Sequence, residues 1–244
     1  MTNRVIVNGA YGKLGEVACQ AIETHAEFEL VGKLGRDDQL DQGIRSLEAN
    51  IVIDVTRADV AYQNAKTIIE NHAHPVIGTS GLVDSEIEEL STLCQEKKLG
   101  GIIVPNFSIG AVLMMKFAAE AARYFTEVEI IEAHHQNKLD APSGTAMKTA
   151  SIIAENRQEA KNQLALKELV EGARGGEYQD VNIHSLRLPG ILAKQDVIFG
   201  STGETLTLCH NSIERNAFIP GIVLACQGVS KLNELQYGLE TLLD

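Results

Sequence analysis

A short apolar run that ends at a glycine-rich turn and restarts as a helix constrains this chain more than any other feature. Arg4-Val5-Ile6-Val7-Asn8 leads into Gly9-Ala10-Tyr11-Gly12-Lys13-Leu14-Gly15. A run with no polar alternation has no wet face, so it reads as a strand buried on both sides, which is the habit of a parallel sheet. From Lys13 to about residue 25, Leu14, Val17, Ala18, Ala21 and Ile22 share one helical face. The unit then repeats. Strands are expected at 28–33, 50–55, 75–78 and 101–104, and helices at about 60–71 and from Asp84 or Ser85, where Ser85 and Glu88 have the spacing of a capping box. Strands alternating with helices through about residue 105 predict a doubly wound parallel sheet of the α/β class.

Beyond that point the pattern changes. A long Ala- and Met-rich helix is expected over 110–125 and a strand over 128–133. A helix starting at Ser143 is followed by three strand-like runs without helices between them, at 181–188, 195–199 and 205–209. Such a run predicts an antiparallel or mixed sheet and hence a second domain of α+β type. Between them Arg174-Gly175-Gly176-Glu177 reads as a loop flanked by a polar helix rich in Glu, Lys and Gln. Two apolar helical segments, about 219–232 and 235–243, close the chain.

The glycine turn has a chemical reading. At a strand-to-helix junction, missing side chains let the backbone approach a pyrophosphate, whose charge meets the positive end of the helix. The spacing Gly-x-x-Gly-x-x-Gly is weak by itself; its place at the first junction of an α/β pattern strengthens it. The alternative is a tight turn whose third glycine only permits helix–sheet packing. The second strand ends at Lys33-Leu34-Gly35-Arg36, where an acidic residue would grip the ribose hydroxyls of NAD. Gly35 and Arg36, with Lys33 and Lys13 close in sequence, could accommodate a 2′-phosphate instead, although Arg36 reads almost equally well as a solvated surface charge. The reading therefore leans to NADPH, with use of NADH as well.

The second chemical signal is Glu132-Ala133-His134-His135-Gln136-Asn137-Lys138-Leu139-Asp140-Ala141-Pro142-Ser143-Gly144-Thr145. Two imidazoles, an ammonium group and a Ser-Gly-Thr helix start fall within one turn-rich stretch. Alternation along a strand points His134 and His135 to opposite sides, which makes them poor partners for one metal ion. A histidine pointing into a cleft can instead be a proton donor, since the ordinary imidazole pKa already lies near working pH. Lys138 adds a fixed charge and a second donor, while Ser143 as helix N-cap, with Gly144 and Thr145, suits a substrate carboxylate.

Composition removes other classes. A net charge of −12 and an aromatic content of 5% with no Trp argue against a nucleic-acid surface. No apolar run reaches membrane-spanning length, and the N-terminus lacks the apolar region of a signal peptide. Cys19, Cys94, Cys209 and Cys226 show no Cys-x-x-Cys spacing, so they read as free, mostly buried thiols in a reducing, cytoplasmic setting.

With the loop 132–146, Gly9 to Gly15, Asp54-Val55-Thr56, Gly78-Thr79-Ser80-Gly81, Pro105-Asn106-Phe107-Ser108-Ile109-Gly110 and Phe218-Ile219-Pro220-Gly221, the chain resembles the dihydrodipicolinate reductases of bacterial lysine and diaminopimelate synthesis over essentially its whole length. The resemblance implies a Rossmann-type coenzyme domain, 1–106 plus 217–244, and a substrate-binding domain, 107–216, through whose sheet four subunits associate. It implies that Gly9, Ala10, Tyr11, Gly12, Lys13, Leu14, Gly35, Arg36, Gly78, Thr79, Ser80, Val104, Pro105, Asn106 and Phe107 line the coenzyme. His134 would give the proton, Lys138 would be a second donor, and His135, Lys138, Ser143, Gly144 and Thr145 would cradle a small dicarboxylate. Gly35 departs from a position where members often carry an acid. Two alternatives stand beside this reading: another two-domain dehydrogenase of an amino-acid pathway, and a nucleotide-sensing module without catalysis.

Overall fold

The computed structural model describes residues 2–158 and 167–243. The chain divides into two compact units, one taking residues up to Ile109 and from Arg215 onward, the other Gly110–Glu214.

In the first unit β1 (Asn3–Asn8) runs into α1 (Lys13–Glu23), whose buried Val17, Ala18, Ala21 and Ile22 form the expected apolar stripe. Next come β2 (Phe28–Leu34), α2 (Leu40–Ser46), β3 (Ile51–Asp54), α3 (Ala58–Glu70), β4 (His74–Ile77), α4 (Asp84–Lys97) and β5 (Gly101–Ile103). Ile6, Val52, Ile77 and Ile103 from the strands pack with Ile68 and Ile69 of α3 and Leu90 and Cys94 of α4. Of these elements only α2 has no counterpart in the sequence reading. It buries Ile44 alone and contains Gly43, so it lacks the periodic apolar face that marks a helix. The expected cap of α4 is displaced. The helix begins at Asp84, so its third residue is Glu86 rather than Glu88, and the Glu86 carboxylate accepts from the Val83 amide at 3.0 Å.

The second unit holds α5 (Ile109–Ala121), which starts at the boundary, then β6 (Glu127–His134), α6 (Gly144–Asn156), β7 (Gly176–Tyr178), β8 (Val181–Arg187), β9 (Ala193–Ser201) and β10 (Glu204–Ser212). Its sheet has the order β10-β9-β6-β8-β7 and is mixed, since β6 pairs parallel with β8 and antiparallel with β9. Val128 and Ile130 of β6 meet Ala146, Ala150 and Ile153 of α6, Val181 and Ile183 of β8, and Val197 and Phe199 of β9. The expected 174–177 loop is corrected in part: Gly176–Tyr178 pairs antiparallel with β8. The connection is tight, with Gln179 and Asp180 both at positive φ (51° and 61°), a conformation usually signalled by Asn-Gly. The polar helix expected before that loop falls largely on 159–166, outside the described residues.

The chain then returns to the first unit through a 3-10 turn at Arg215–Phe218 and α7 (Ile219–Val229), which packs beside α1. The last expected helix, 235–243, is wrong. Leu235–Tyr237 is β11, paired parallel with β5, and Gly238 at φ 96° turns it into a 3-10 segment, Leu239–Leu242. The hydrogen-bonding edge of β5 overrides the local helical preference of this short apolar run. The finished sheet, β11-β5-β4-β3-β1-β2, is parallel throughout. Its strand order reverses between β1 and β3, where a crevice opens at the carboxyl ends. Among the described residues no helix is long and apolar enough to cross a membrane.

Candidate active site

A cleft of about 520 Å³ lies at that crevice, lined by Gly9, Tyr11, Gly12, Gly35, Arg36, Asp38, Val55, Thr56 and Asn64 among others. The three turn glycines separate by role. A Cβ on Gly9, which sits at φ 86°, would stand 2.7 Å from the Val55 carbonyl, and one on Gly15 would stand 2.1 Å from the Gly9 carbonyl. These two are required by backbone packing. Gly12 has only the Gly9 carbonyl, at 3.4 Å, near its missing Cβ, and it faces the cleft. It is also the N-cap of α1 and offers no side-chain acceptor, so the positive end of the helix is open to an anion. A pyrophosphate fits here.

Beneath the cleft, the fully buried Asp54 carboxylate accepts from Asn8, Asn64, Thr56 and Thr79 side chains, each at 2.8 Å. It ties the ends of β1, β3 and β4 together. Thr79, expected at the coenzyme, spends its single hydroxyl proton on this carboxylate. Gly78 packs under the Phe107 ring, which a Cβ would meet at 2.5 Å. Gly78, Thr79, Ser80 and the segment Val104, Pro105, Asn106, Phe107 lie at the ends of β4 and β5, outside the cleft lining. Lys33 is turned away as well, paired with Glu23 at 2.7 Å.

One carboxylate at the cleft escapes the sequence reading. Asp38 folds back so that its Oδ2 accepts from the Gly35 amide at 2.7 Å. It thereby brings an acid to the end of β2 from three residues downstream. Arg36 and Asp38 share the rim, one suited to a 2′-phosphate and the other to ribose hydroxyls.

In the second unit, β6 carries Val128, Ile130, Glu132 and His134 on one face, because side chains two apart on a strand share a side. The face turns from apolar core to chemistry at Glu132, which is fully buried. Its carboxylate receives two parallel bonds from Arg187 of β8, Nη1 to Oε2 at 3.0 Å and Nη2 to Oε1 at 2.9 Å. Arg187 is the register partner of His134, which places it alongside. Oε1 also accepts from the Ser143 amide at 3.2 Å, and the Ser185 hydroxyl bonds the same group. His134 Nδ1 stands 2.6 Å from Oε2. Burial would push the Glu132 carboxyl up, but the bonds from Arg187, Ser185 and His134 outweigh it and hold the group below the usual carboxylate range. For His134 burial is the largest influence and wins: the imidazole sits below its ordinary value, helped by the charges of Lys138 and Arg187, although Glu132 pulls the other way.

The loop that follows is built around the same arginine. Arg187 Nη2 donates to the Asp140 carbonyl at 2.6 Å, and the Asp140 carboxylate binds Lys138 Nζ through both oxygens at 2.8 and 2.7 Å. The ammonium group expected as second donor is therefore held by a partner that the sequence reading leaves out. Ser143 caps α6 as expected, its Oγ accepting from the Ala146 amide at 3.2 Å; the side chain is buried, and its O–H is the donor it can offer. Gly144 opens the helix into free space, with nothing within 4 Å of where a Cβ would stand. Thr145 occupies the next, half-buried position of that first turn. His135 lies just past β6, and its carbonyl accepts from the Lys138 amide at 3.1 Å to turn the loop. The strand ends at His134, so strict alternation does not carry on to His135.

Comparison with known proteins agrees with this architecture. Residues 3–107 match the family model described as dihydrodipicolinate reductase, N-terminus, and residues 110–243 the one described as dihydrodipicolinate reductase, C-terminus. The chain belongs to the dihydrodipicolinate reductase family. A 4-hydroxy-tetrahydrodipicolinate reductase of Legionella pneumophila strain Philadelphia 1 is 62% identical over 243 residues, covering 100% of both chains. One from Coxiella burnetii strain Dugway is 49% identical with the same full coverage. A solved dihydrodipicolinate reductase from Paenisporosarcina sp. TG-14, with dipicolinate bound, is 40% identical, covers 100% of both chains and superposes with a TM-score of 0.92. Membership in the dihydrodipicolinate reductase family decides between this family and another two-domain dehydrogenase, a choice that glycine spacing alone leaves open.

Proposed function

We propose that this chain reduces dihydrodipicolinate, formed from 4-hydroxy-tetrahydrodipicolinate, to tetrahydrodipicolinate with NADPH or NADH, as a step of diaminopimelate and lysine synthesis in the cytoplasm. The observation that carries this reading is the His134 imidazole, held on its Nδ1 side by a buried carboxylate, at the mouth of a loop leading to the open N-terminus of α6. The relatives' names and the dipicolinate of the Paenisporosarcina structure support a planar ring with two carboxylates as the ligand.

The first unit is the coenzyme-binding domain in this reading. Gly9, Ala10, Tyr11, Gly12, Lys13 and Leu14 hold the pyrophosphate, Gly35, Arg36 and Asp38 the adenosine ribose, and the segments 78–80 and 104–107 the remainder. The coenzyme supplies a hydride to C4 of the cyclic imine. The chain's own contribution is in the second unit. Ser143, Gly144, Thr145, His135 and Lys138 hold the two carboxylates, and the helix end favours their charge. His134 delivers the proton that the resulting enamine needs, with Lys138 assisting. Lys138 exchanges Asp140 for a substrate carboxylate in doing so. Four subunits associate through the second unit's sheet, where β10 is exposed along most of its length; a monomer by light scattering at micromolar concentration would remove that element.

The reading is tested by mixing protein, NADPH and freshly generated dihydrodipicolinate while following nicotinamide absorbance; no substrate-dependent decline would end it. Lys138→Ala should lower kcat by roughly 10²-fold and raise KM as well, since it loses both a donor and a charge at the substrate. Steady-state constants like those of the wild type would take Lys138 out of the site.

Coenzyme choice follows from the two charges at the rim. Arg36→Ala should lower kcat/KM with NADPH about tenfold, the size of one modest charged contact, and leave NADH nearly untouched. Asp38→Ala should do the reverse. We favour NADPH, because a guanidinium gains more from a dianionic phosphate than a carboxylate gains from two hydroxyls. Titrating both coenzymes against both variants decides the matter, and a wild type faster with NADH would reverse the preference.

A further inference from the structure

We infer that Glu132 is a positioning residue for proton transfer: it fixes His134 in the Nδ1–H tautomer, so that Nε2 is the nitrogen that gives up the proton. This inference rests on the proposed role of His134 and adds a residue to it.

The Glu132 carboxylate is ionised and accepts only; Arg187 supplies two donors, the Ser143 amide a third and the Ser185 hydroxyl a fourth. At 2.6 Å from Oε2, His134 Nδ1 must therefore carry hydrogen in both the neutral and the charged ring. Only Nε2 is then free to alternate between N–H and lone pair. A carboxylate behind an imidazole sets tautomer and ring plane in this way in the Ser-His-Asp triad.

Arg187 gives the arrangement its balance. A lone buried carboxylate would hold the imidazolium proton tightly, since opposite charge in a buried setting favours the charged ring. The guanidinium neutralises Glu132 from the neighbouring strand, and Lys138, although bound to Asp140, adds positive charge from the loop. The proton on Nε2 is thus left available for transfer. The same carboxylate reaches the Ser143 amide, so proton donor and helix cap are fixed to one buried group. Orientation of donor and of the carboxylate cradle is set together.

The test has two parts. In uniformly folded wild-type enzyme labelled with 15N-histidine, with the His134 signals identified by their loss in His134→Gln, the neutral ring should show Nδ1 protonated and Nε2 bare. The opposite tautomer would overturn the inference, whatever any variant does. In Glu132→Gln, kcat should fall roughly 10²-fold while KM for substrate changes by less than about threefold. The alkaline limb of kcat/KM should move to lower pH, because the negative charge that favours the imidazolium is gone while Arg187 and Lys138 remain. A merely structural role would lower the amount of active enzyme without moving that limb. A variant with unmoved limb and near-normal kcat also overturns the inference. If Glu132→Gln does not fold, the wild-type tautomer decides alone. A His134→Gln enzyme that still turns over would instead remove the proposed proton donor, and the tautomer measurement keeps the two failures apart.

Discussion

His134→Gln is expected to lose turnover by roughly 10²–10⁴-fold, the usual worth of a positioned general acid, while binding reduced coenzyme as the wild type does. Glutamine keeps a polar side chain of similar reach but has no titrating proton, so only the transfer step is removed. The pH profile of the wild type carries the same claim in another form. Burial, with Lys138 and Arg187 close by, holds the free enzyme's imidazole below its ordinary value. The proton-loaded form of the free enzyme is therefore lost as pH rises through a value under the usual imidazole range, and kcat/KM should fall with it. A substrate carrying two negative charges favours the imidazolium, so the corresponding limb in kcat should lie at higher pH. A His134→Gln variant within a few-fold of wild-type kcat would take the imidazole out of the mechanism.

The second large effect is on stability. Arg187→Met should cost about 3–5 kcal/mol at neutral pH, because it leaves the fully buried Glu132 without its charge partner. In the wild type Glu132 is held below its ordinary value, so its contribution is present above the unfolded carboxylate range and is lost as pH falls through the folded value. In the variant the sign reverses. The Ser143, Ser185 and His134 bonds remain, but with no full positive charge to offset its burial the carboxyl should rise, and stability should improve as acid supplies a proton. Urea unfolding of both proteins at several pH values should show the gap narrowing toward low pH. A gap under about 1 kcal/mol, or one that does not change with pH, would mean that the pair is not what holds this part of the sheet.

Much of both sites is visible in the chain itself. The glycine turn and its helix follow from an apolar strand meeting glycines, and the N-cap at Ser143 follows from a hydroxyl placed before a helix-forming run. Alternation, applied to His134 and His135, has its more useful consequence one step back: period two also sets Glu132 beside His134. That pairing is legible, but the reason for it is not, since a glutamate in a strand is ordinarily a wetted residue. Asp38 is hidden for a different reason, because it reaches the end of β2 by a local fold-back that strand–helix counting does not describe. The terminal β11 reads as helix because its strand character comes from the β5 edge and not from Leu235, Gln236 and Tyr237 themselves.

The order of residues along the chain determined what could be built: apolar runs without polar breaks must be buried on both faces, and glycine is the residue that lets a backbone pass close to another backbone or to a phosphate. Tertiary structure alone decided which charges meet. Arg187 lies 55 residues from Glu132, and only the parallel pairing of β6 with β8 brings a guanidinium to that carboxylate. Periodicity reports the face on which a side chain lies, whereas the balance of desolvation against pairing depends on neighbours that the chain supplies from far away.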